Sequence, residues 1–364
     1  MDQWHQTFFH HGSSSHPPVN QPVAHQPLHP NLRSLLDPEY VAFHDQFMQY
    51  VIPDDQKEWD GSARTQPSLP PGGSMPLRVS LIRDVQLENC SVRVFVPESS
   101  QPVSKYPVLL WFHGGGWAIG GLDSENDFCT YICQTSQCIV LSVDYRLAPE
   151  FPYPAAAEDA IEAFQWLFRE AHKYYNIDTT RVAIGGTSTG GNLAAVVVLE
   201  AACLFKQFKP IFLLLIVPVI DNTATPGNGW YNLNAPWLTP QSMLWYRRMY
   251  LPNGHGRDAL FGREDWQVSP NLAPSKLLSK CPATWMAVAE HDLLATEALA
   301  FSSQLRAAGV QTSVNVYQGS THSILALNGV LSKGRELMLD AAMQLNGAFW
   351  PILLDPLNGW SLCS

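Results

Sequence analysis

A serine hydroxyl attacks a carbonyl carbon only when it has three aids: a base, a carboxylate to orient the base, and donors for the anion that forms. The sequence offers a candidate for each. Gly186-Thr187-Ser188-Thr189-Gly190 is a Gly-x-Ser-x-Gly segment. It follows the apolar run Arg181–Gly185 and precedes the helix-like stretch Gly191–Glu200. Between a strand and a helix this pattern makes a sharp turn that lifts the serine to the strand tip. The following helix N-terminus favours negative charge there. Glycines two residues either side are needed because a Cβ would clash in so tight a turn.

The oxyanion donors come from His113-Gly114-Gly115-Gly116-Trp117, directly after the apolar run Val108–Phe112. Consecutive glycines let backbone N–H groups converge on one point. The N–H of Thr189, next to the serine, is a further donor. The carboxylate lies in Glu290-His291-Asp292, after the run Thr284–Ala289. Asp292 sits just past the strand end, where a loop side chain reaches an imidazole. Glu290 competes with it and also has a structural reading; His291 is expected to point elsewhere. The base is His322, on the loop after Thr312–Tyr317. The order Ser188, Asp292, His322 is the one a strand-turn-helix nucleophile of this kind uses.

Eight strand-length runs must position these groups: Leu77–Leu87, Ser91–Val96, Val108–Phe112, Ile139–Val143, Arg181–Gly185, Pro210–Val217, Thr284–Ala289 and Thr312–Tyr317. The first two are close enough for a hairpin. Helical patterns at Ala155–Tyr174, Gly190–Phe205, Ala295–Ala308 and Lys333–Leu345 separate most of the rest. That alternation predicts βαβ units and a mostly parallel sheet with helices on both faces. An insertion after the sixth strand, 221–265, breaks the alternation. At the carboxyl end of a strand it is expected to roof the site. Six of its aromatic residues, Trp230, Tyr231, Trp237, Trp245, Tyr246 and Tyr250, divide between pocket wall and the insertion's own core. The remaining expected units are a flexible His/Pro/Gln-rich arm (1–32), cap helices and a Pro/Gly linker (33–76), the catalytic core (77–220 and 266–350) and a tail (351–364).

Bulk properties narrow the partners. The chain has 364 residues and a net charge of −10, which argues against nucleic-acid or anionic-membrane binding. Seven cysteines, with no Cys-x-x-Cys, read as free thiols in a reducing compartment. The six histidines of the arm lack acidic or cysteine partners at ligand spacing, so no metal is expected. The N-terminus lacks a signal-peptide pattern, and the run Ile211–Ile220 is too short to span a bilayer. A cytoplasmic location follows by default. No cofactor is required, and a homodimer is compatible with the chain.

The motifs together resemble the hormone-sensitive-lipase-like group of α/β-hydrolases, the type IV carboxylesterases. The resemblance runs from about Tyr106 to Ala342. It includes Val143-Asp144-Tyr145-Arg146-Leu147-Ala148-Pro149-Glu150, Phe151-Pro152-Tyr153-Pro154-Ala155-Ala156, Glu158-Asp159, Ser269-Pro270 and Leu305-Arg306-Ala307-Ala308-Gly309-Val310. It implies an α/β-hydrolase fold and a helical cap made from the N-terminus plus the insertion. It implies Ser188, Asp292 and His322 as the catalytic residues, and Gly115, Gly116 and Thr189 as the oxyanion hole. Asp144, Tyr145 and Glu150 carry over as scaffold. One departure stands out: the group's elbow reads Gly-Asp-Ser-Ala-Gly-Gly, whereas Thr187 and Thr189 replace the acid and the alanine here.

The expected activity is hydrolysis of carboxylic esters of apolar or aromatic small molecules through an acyl-enzyme. The two threonines and the aromatic insertion leave a second reading: a biosynthetic tailoring hydrolase, acyl transferase or cyclase with one large substrate. A third is a ligand-binding non-enzyme, as in the plant gibberellin receptors that resemble this group but have lost the histidine. His322 separates the chain from that reading.

Overall fold

The computed structural model describes residues 23–65, 71–99, 104–205, 207–251 and 266–351. All eight expected strands form one sheet. In chain order they are β1 (Leu81–Gln86), β2 (Ser91–Val96), β3 (Tyr106–Phe112), β4 (Ile139–Asp144), β5 (Ile177–Thr187), β6 (Phe212–Ile216), β7 (Ala283–Ala289) and β8 (Thr312–Tyr317). Their spatial order is β1-β2-β4-β3-β5-β6-β7-β8. β1 and β2 form the antiparallel hairpin, and β2 runs antiparallel to β4. Every other pair is parallel.

The central strands explain the fold class. Six of the seven residues of β3 and all five of β6 are buried, because helices cover both faces. The side-chain alternation of a strand splits the core in two. Val108, Leu110 and Phe112 join the cluster under helices Ala155–Trp166, Thr189–Leu204 and Ala295–Ala307. Leu109 and Trp111 join the cluster under helices Asn126–Thr135 and Ser332–Phe349.

Several elements depart from the sequence reading. β1 begins at Leu81 rather than Leu77. The expected helix Ala155–Tyr174 changes pitch at Leu167–Ala171 and ends in a short turn, His172–Tyr174. Helix Asn126–Thr135 had no expectation attached to it. Its buried face consists of Phe128, Cys129, Thr130, Ile132 and Cys133, a mix in which polar and thiol side chains hide the apolar stripe. In the N-terminal region, Pro30 and Pro38 start separate helices, Pro30–Arg33 and Pro38–Gln46, and Asp37 caps the second by accepting from Glu39 N. Residues 1–22 of the expected arm lie outside the described residues. From residue 23 onward the chain docks: His25 N and Gln26 N both donate to Gln49 O, and Gln26 Nε2 donates to Val51 O at 2.9 Å.

The first half of the insertion is rooted in the core by buried polar groups. Glu297, on helix Ala295–Ala307, accepts from Ile220 N (2.7 Å), Asp221 N (3.2 Å) and Trp230 Nε1 (3.0 Å). Arg247, on helix Pro240–Tyr250, donates to Asn222 Oδ1, Ala224 O and Asp221 O, and its guanidinium lies 4.4 Å from the Trp230 ring centre. Burial pushes the Glu297 carboxyl up to about 7. Replacing it with alanine strands three buried donors. Glu297→Ala is therefore expected to cost about 3 kcal/mol of stability, measurable as a Tm lowered by several degrees in thermal unfolding.

Candidate active site

The candidate nucleophile sits where β5 meets helix Thr189–Leu204. Ser188 has φ 52° and ψ −117°, a strained conformation for a residue with a side chain. Backbone bonds hold it there. Ser188 N donates to Ile216 O on β6 (2.9 Å), and Ser188 O accepts from Val219 N (3.0 Å) and Asn192 N (3.2 Å). A Cβ on Gly186 would strike the Gly190 carbonyl, and one on Gly190 would strike Phe112 and His113 backbone. The two glycines of the motif are thus required by close backbone approach.

Three chain-distant side chains meet in one line. His322 Nε2 lies 3.0 Å from Ser188 Oγ, and His322 Nδ1 lies 2.8 Å from Asp292 Oδ2. Asp292 is buried, and its Oδ1 accepts from Leu294 N at 3.1 Å. Asn232 of the insertion donates to the Asp292 carbonyl (2.7 Å) and the Glu290 carbonyl (2.9 Å). The competing carboxylate braces the neighbouring loop instead. Glu290 Oε2 accepts from Gly319 N at 2.7 Å, in the loop that carries His322. His291 turns toward Glu290, with Nε2 3.5 Å from Oε2, and borders a separate small hollow with His29.

The glycine loop faces the same point. Gly115 and Gly116 have φ of 118° and 65°, which side-chain-bearing residues rarely adopt. Among the described residues their N–H groups have no acceptor within the chain. Thr189 is the first residue of its helix, so its N–H has no intrahelical partner. His113 lies beneath the loop, its Nδ1 2.7 Å from Gly114 O and its ring stacked on Tyr145 at 4.4 Å. Tyr145 Oη donates to His113 O. Burial pushes the His113 imidazole down to about 4, so it is neutral near pH 7.

The two threonines that depart from the usual elbow are buried and partnered. Thr187 Oγ1 donates to Ile216 O at 3.4 Å, and its methyl group packs against Gly114. Thr189 Oγ1 accepts from Trp117 N at 3.4 Å. The Thr189 hydroxyl therefore braces the glycine loop.

A cavity of about 590 Å³ opens above Ser188. Trp237, Leu238, Met243, Trp245 and Tyr246 of the insertion form one wall, and Ile52, Pro53 and Arg64 of the N-terminal segment contribute to another. Of the other insertion aromatics, Trp230 and Tyr250 are buried in the core, Tyr250 stacked on Trp117, and Tyr231 is exposed. Tyr246 lies directly on Gly116, where a Cβ would run into its ring. The two wall segments hold each other: Ser242 Oγ donates to Asp55 Oδ1 (2.9 Å), and Trp59 packs edge-on against Trp245. Arg64 covers Trp59, donates to Ala118 O and Ala148 O, and pairs with Glu150. Residues 252–265 of the insertion are outside the described residues. Among the described residues no group of three or more His, Cys, Asp or Glu side chains could hold a metal. No described helix is long and apolar enough to cross a membrane.

A serine on a strained strand-to-helix turn, under a wall of inserted residues, in a mostly parallel eight-stranded sheet, defines the class as an α/β-hydrolase. A family model of the alpha/beta hydrolase fold matches residues 109–326. The chain belongs to this family, in its hormone-sensitive-lipase-like group. It is 36% identical over 341 residues to an AB hydrolase superfamily protein of Schizosaccharomyces pombe, covering 89% of this chain and 97% of the relative. It is 30% identical over 256 residues to the ethyl acetate hydrolase of Pseudomonas putida, covering 70% of this chain and 77% of the relative. Among solved structures, carboxyl esterase 2 of the fungus Tuber melanosporum superposes with a TM-score of 0.73 at 25% identity, over 86% of this chain and 99% of that one.

The environment of His113 has a measurable consequence. Between pH 6.5 and 4 the unfolded chain takes up a proton at this imidazole that the folded chain refuses. This group's stabilising contribution is therefore present above pH 6.5 and lost as the pH falls toward 4, by about 3 kcal/mol. The ring resonances of His113 are expected not to titrate between pH 5.5 and 8 in NMR spectra.

Proposed function

We propose that the chain hydrolyses carboxylic esters of apolar or aromatic small molecules, with Ser188 as nucleophile, His322 as general base and Asp292 as its orienting carboxylate. The observation that carries this reading is the continuous line from Ser188 Oγ through both ring nitrogens of His322 to Asp292. Ser188 Oγ attacks the ester carbonyl as its proton passes to His322 Nε2. Asp292 accepts from Nδ1–H, selects the tautomer with a free Nε2, and stabilises the imidazolium. The N–H groups of Gly115, Gly116 and Thr189 receive the oxyanion; one such donor contributes about 3 kcal/mol to the transition state. The intermediate collapses when the leaving alkoxide takes the proton back from Nε2. Water, deprotonated by the same nitrogen, then clears the acyl-enzyme.

Apolar or aromatic substrates suit the cavity wall made by Trp237, Leu238, Met243, Trp245 and Tyr246. The same wall supports reading the N-terminal segment and the insertion as one cap, joined at Ser242–Asp55 and Trp59–Trp245. The ester-cleaving names of the Pseudomonas and Tuber relatives support the reaction class. A cytoplasmic location is supported by six unpaired cysteines among the described residues.

Ser188→Ala is expected to lower ester turnover by about 10⁴-fold or more. Asp292→Asn, which leaves the wrong imidazole tautomer, is expected to lower kcat by about 10⁴-fold. Initial rates on p-nitrophenyl esters from C2 to C12 check both variants, and the wild-type optimum should fall at short or medium acyl chains. Unchanged turnover in Ser188→Ala would refute the assignment.

A further inference from the structure

Glu125 immediately precedes helix Asn126–Thr135. No catalytic step above uses it. It is half-buried, and each carboxylate oxygen meets an N–H of the catalytic framework. Oε1 accepts from Gly114 N at 3.1 Å, and Oε2 accepts from Trp111 Nε1 at 2.6 Å. Trp111 is fully buried at the end of β3, wedged against Phe128 with ring centres 4.5 Å apart. The indole therefore gives the carboxylate a rigid anchor. Gly114 opens the glycine loop, and its N–H is thereby committed to Glu125 rather than to the cavity. The peptide orientation set at Gly114 passes to Gly115 and Gly116, whose φ values are those of residues without a side chain to hold them.

We propose that Glu125 is a positioning residue of the oxyanion loop: as a carboxylate it ties Gly114 N to the Trp111 indole and so aims the Gly115 and Gly116 N–H groups at the reacting carbonyl. This rests on the reading of Ser188 and the glycine loop as the active site. The device requires both oxygens as acceptors, hence an ionised carboxylate. Protonation places an O–H against one of two N–H donors and breaks that bond.

The surroundings make protonation accessible. Burial pushes the carboxyl up to about 7, against the lowering effect of the Gly114 and Trp111 bonds, and Asp127 adds like charge. The other titratable groups that feel it are the Cys129 thiol and the Tyr145 phenol, both pushed up by burial and hence uncharged. Asp127 is itself held by Asn328 Nδ2 at 2.6 Å. No cation makes an ion pair with Glu125 among the described residues. Protonation of Glu125 then lowers the rate on the acid side.

The test is the pH dependence of kcat/KM and kcat on p-nitrophenyl butyrate from pH 5 to 9 for wild type, Glu125→Gln and Trp111→Phe, with thermal unfolding as the folding control. The wild-type kcat is expected to fall by about 10- to 100-fold across an acid-side step centred near pH 7. Glu125→Gln, which presents only one acceptor, should lower kcat at pH 9 by about 10- to 100-fold with KM within about twofold, and should lack that step. Trp111→Phe removes one bond to the charged form and should move the limb up by about one pH unit, toward higher pH. That shift tests the proposal even if Glu125→Gln does not fold. A wild-type acid limb that Trp111→Phe leaves in place would overturn it. So would a folded Glu125→Gln with wild-type kcat. Ser188→Ala run alongside separates the two levels: an active Ser188→Ala sinks the active-site reading itself, whereas an inactive one with an unmoved limb sinks only the role of Glu125.

Discussion

The structure depends on the backbone of Ser188. A residue with a Cβ held at φ 52° and ψ −117° does not stay there unaided. It is held because Ser188 N is tied to β6, and its carbonyl accepts from both the start of its own helix and the chain leaving β6. The turn in turn presses Gly190 against the end of β3. β3, β5 and β6 are adjacent in the sheet, so the sheet's register is what holds the strained turn. The core that buries both faces of these strands thereby also stabilises the geometry of the Ser188 hydroxyl.

Around that point the molecule divides labour between rigid and covering parts. β3, β5, β7 and β8 each end at the site and deliver the glycine loop, Ser188, Asp292 and His322 from one edge of the sheet. Their loops are cross-braced by side-chain groups that take no part in the proposed steps: the Glu290 carboxylate on Gly319, the Thr189 hydroxyl on Trp117, the Tyr145 phenol on His113. Such bracing matters because oxyanion stabilisation falls off steeply when donors are misaimed. The covering part comes from two segments far apart in sequence, which meet at Ser242 and Asp55 and place Tyr246 on Gly116. The contact between Tyr246 and Gly116 ties the shape of the cavity to the glycine loop beside Ser188.

The substitutions that set this elbow apart from its group are absorbed by the interior. Thr187 and Thr189 are buried, and both hydroxyls engage backbone atoms. The Thr189 hydroxyl is turned toward Trp117 at the end of the glycine loop.

Much of the fold and site was legible from local pattern. The strands were readable because parallel strands buried on both faces are near-continuous apolar runs, and because the loops between them carry glycine, histidine and acid at strand ends. Ser188 and the glycine loop were legible for a stronger reason: steric exclusion of Cβ leaves a sequence trace that only glycine can fill. Helix Asn126–Thr135 was not legible, since its buried face includes threonine and cysteines, and Glu125 before it lies between Asp123 and Asp127 with no local mark to single it out. Asp292 over Glu290 was a choice between neighbours that only the strand end and the direction of each side chain resolve. The partition of the insertion's aromatics into cavity wall and core was equally beyond the sequence. The sequence by itself marked where particular backbone conformations are allowed, at the glycines of the elbow and of the loop after β3, because steric permission is set by each residue and its immediate neighbours. Only the tertiary structure decided which polar atoms face one another, because those pairings join residues tens to hundreds of positions apart and depend on how the layers pack.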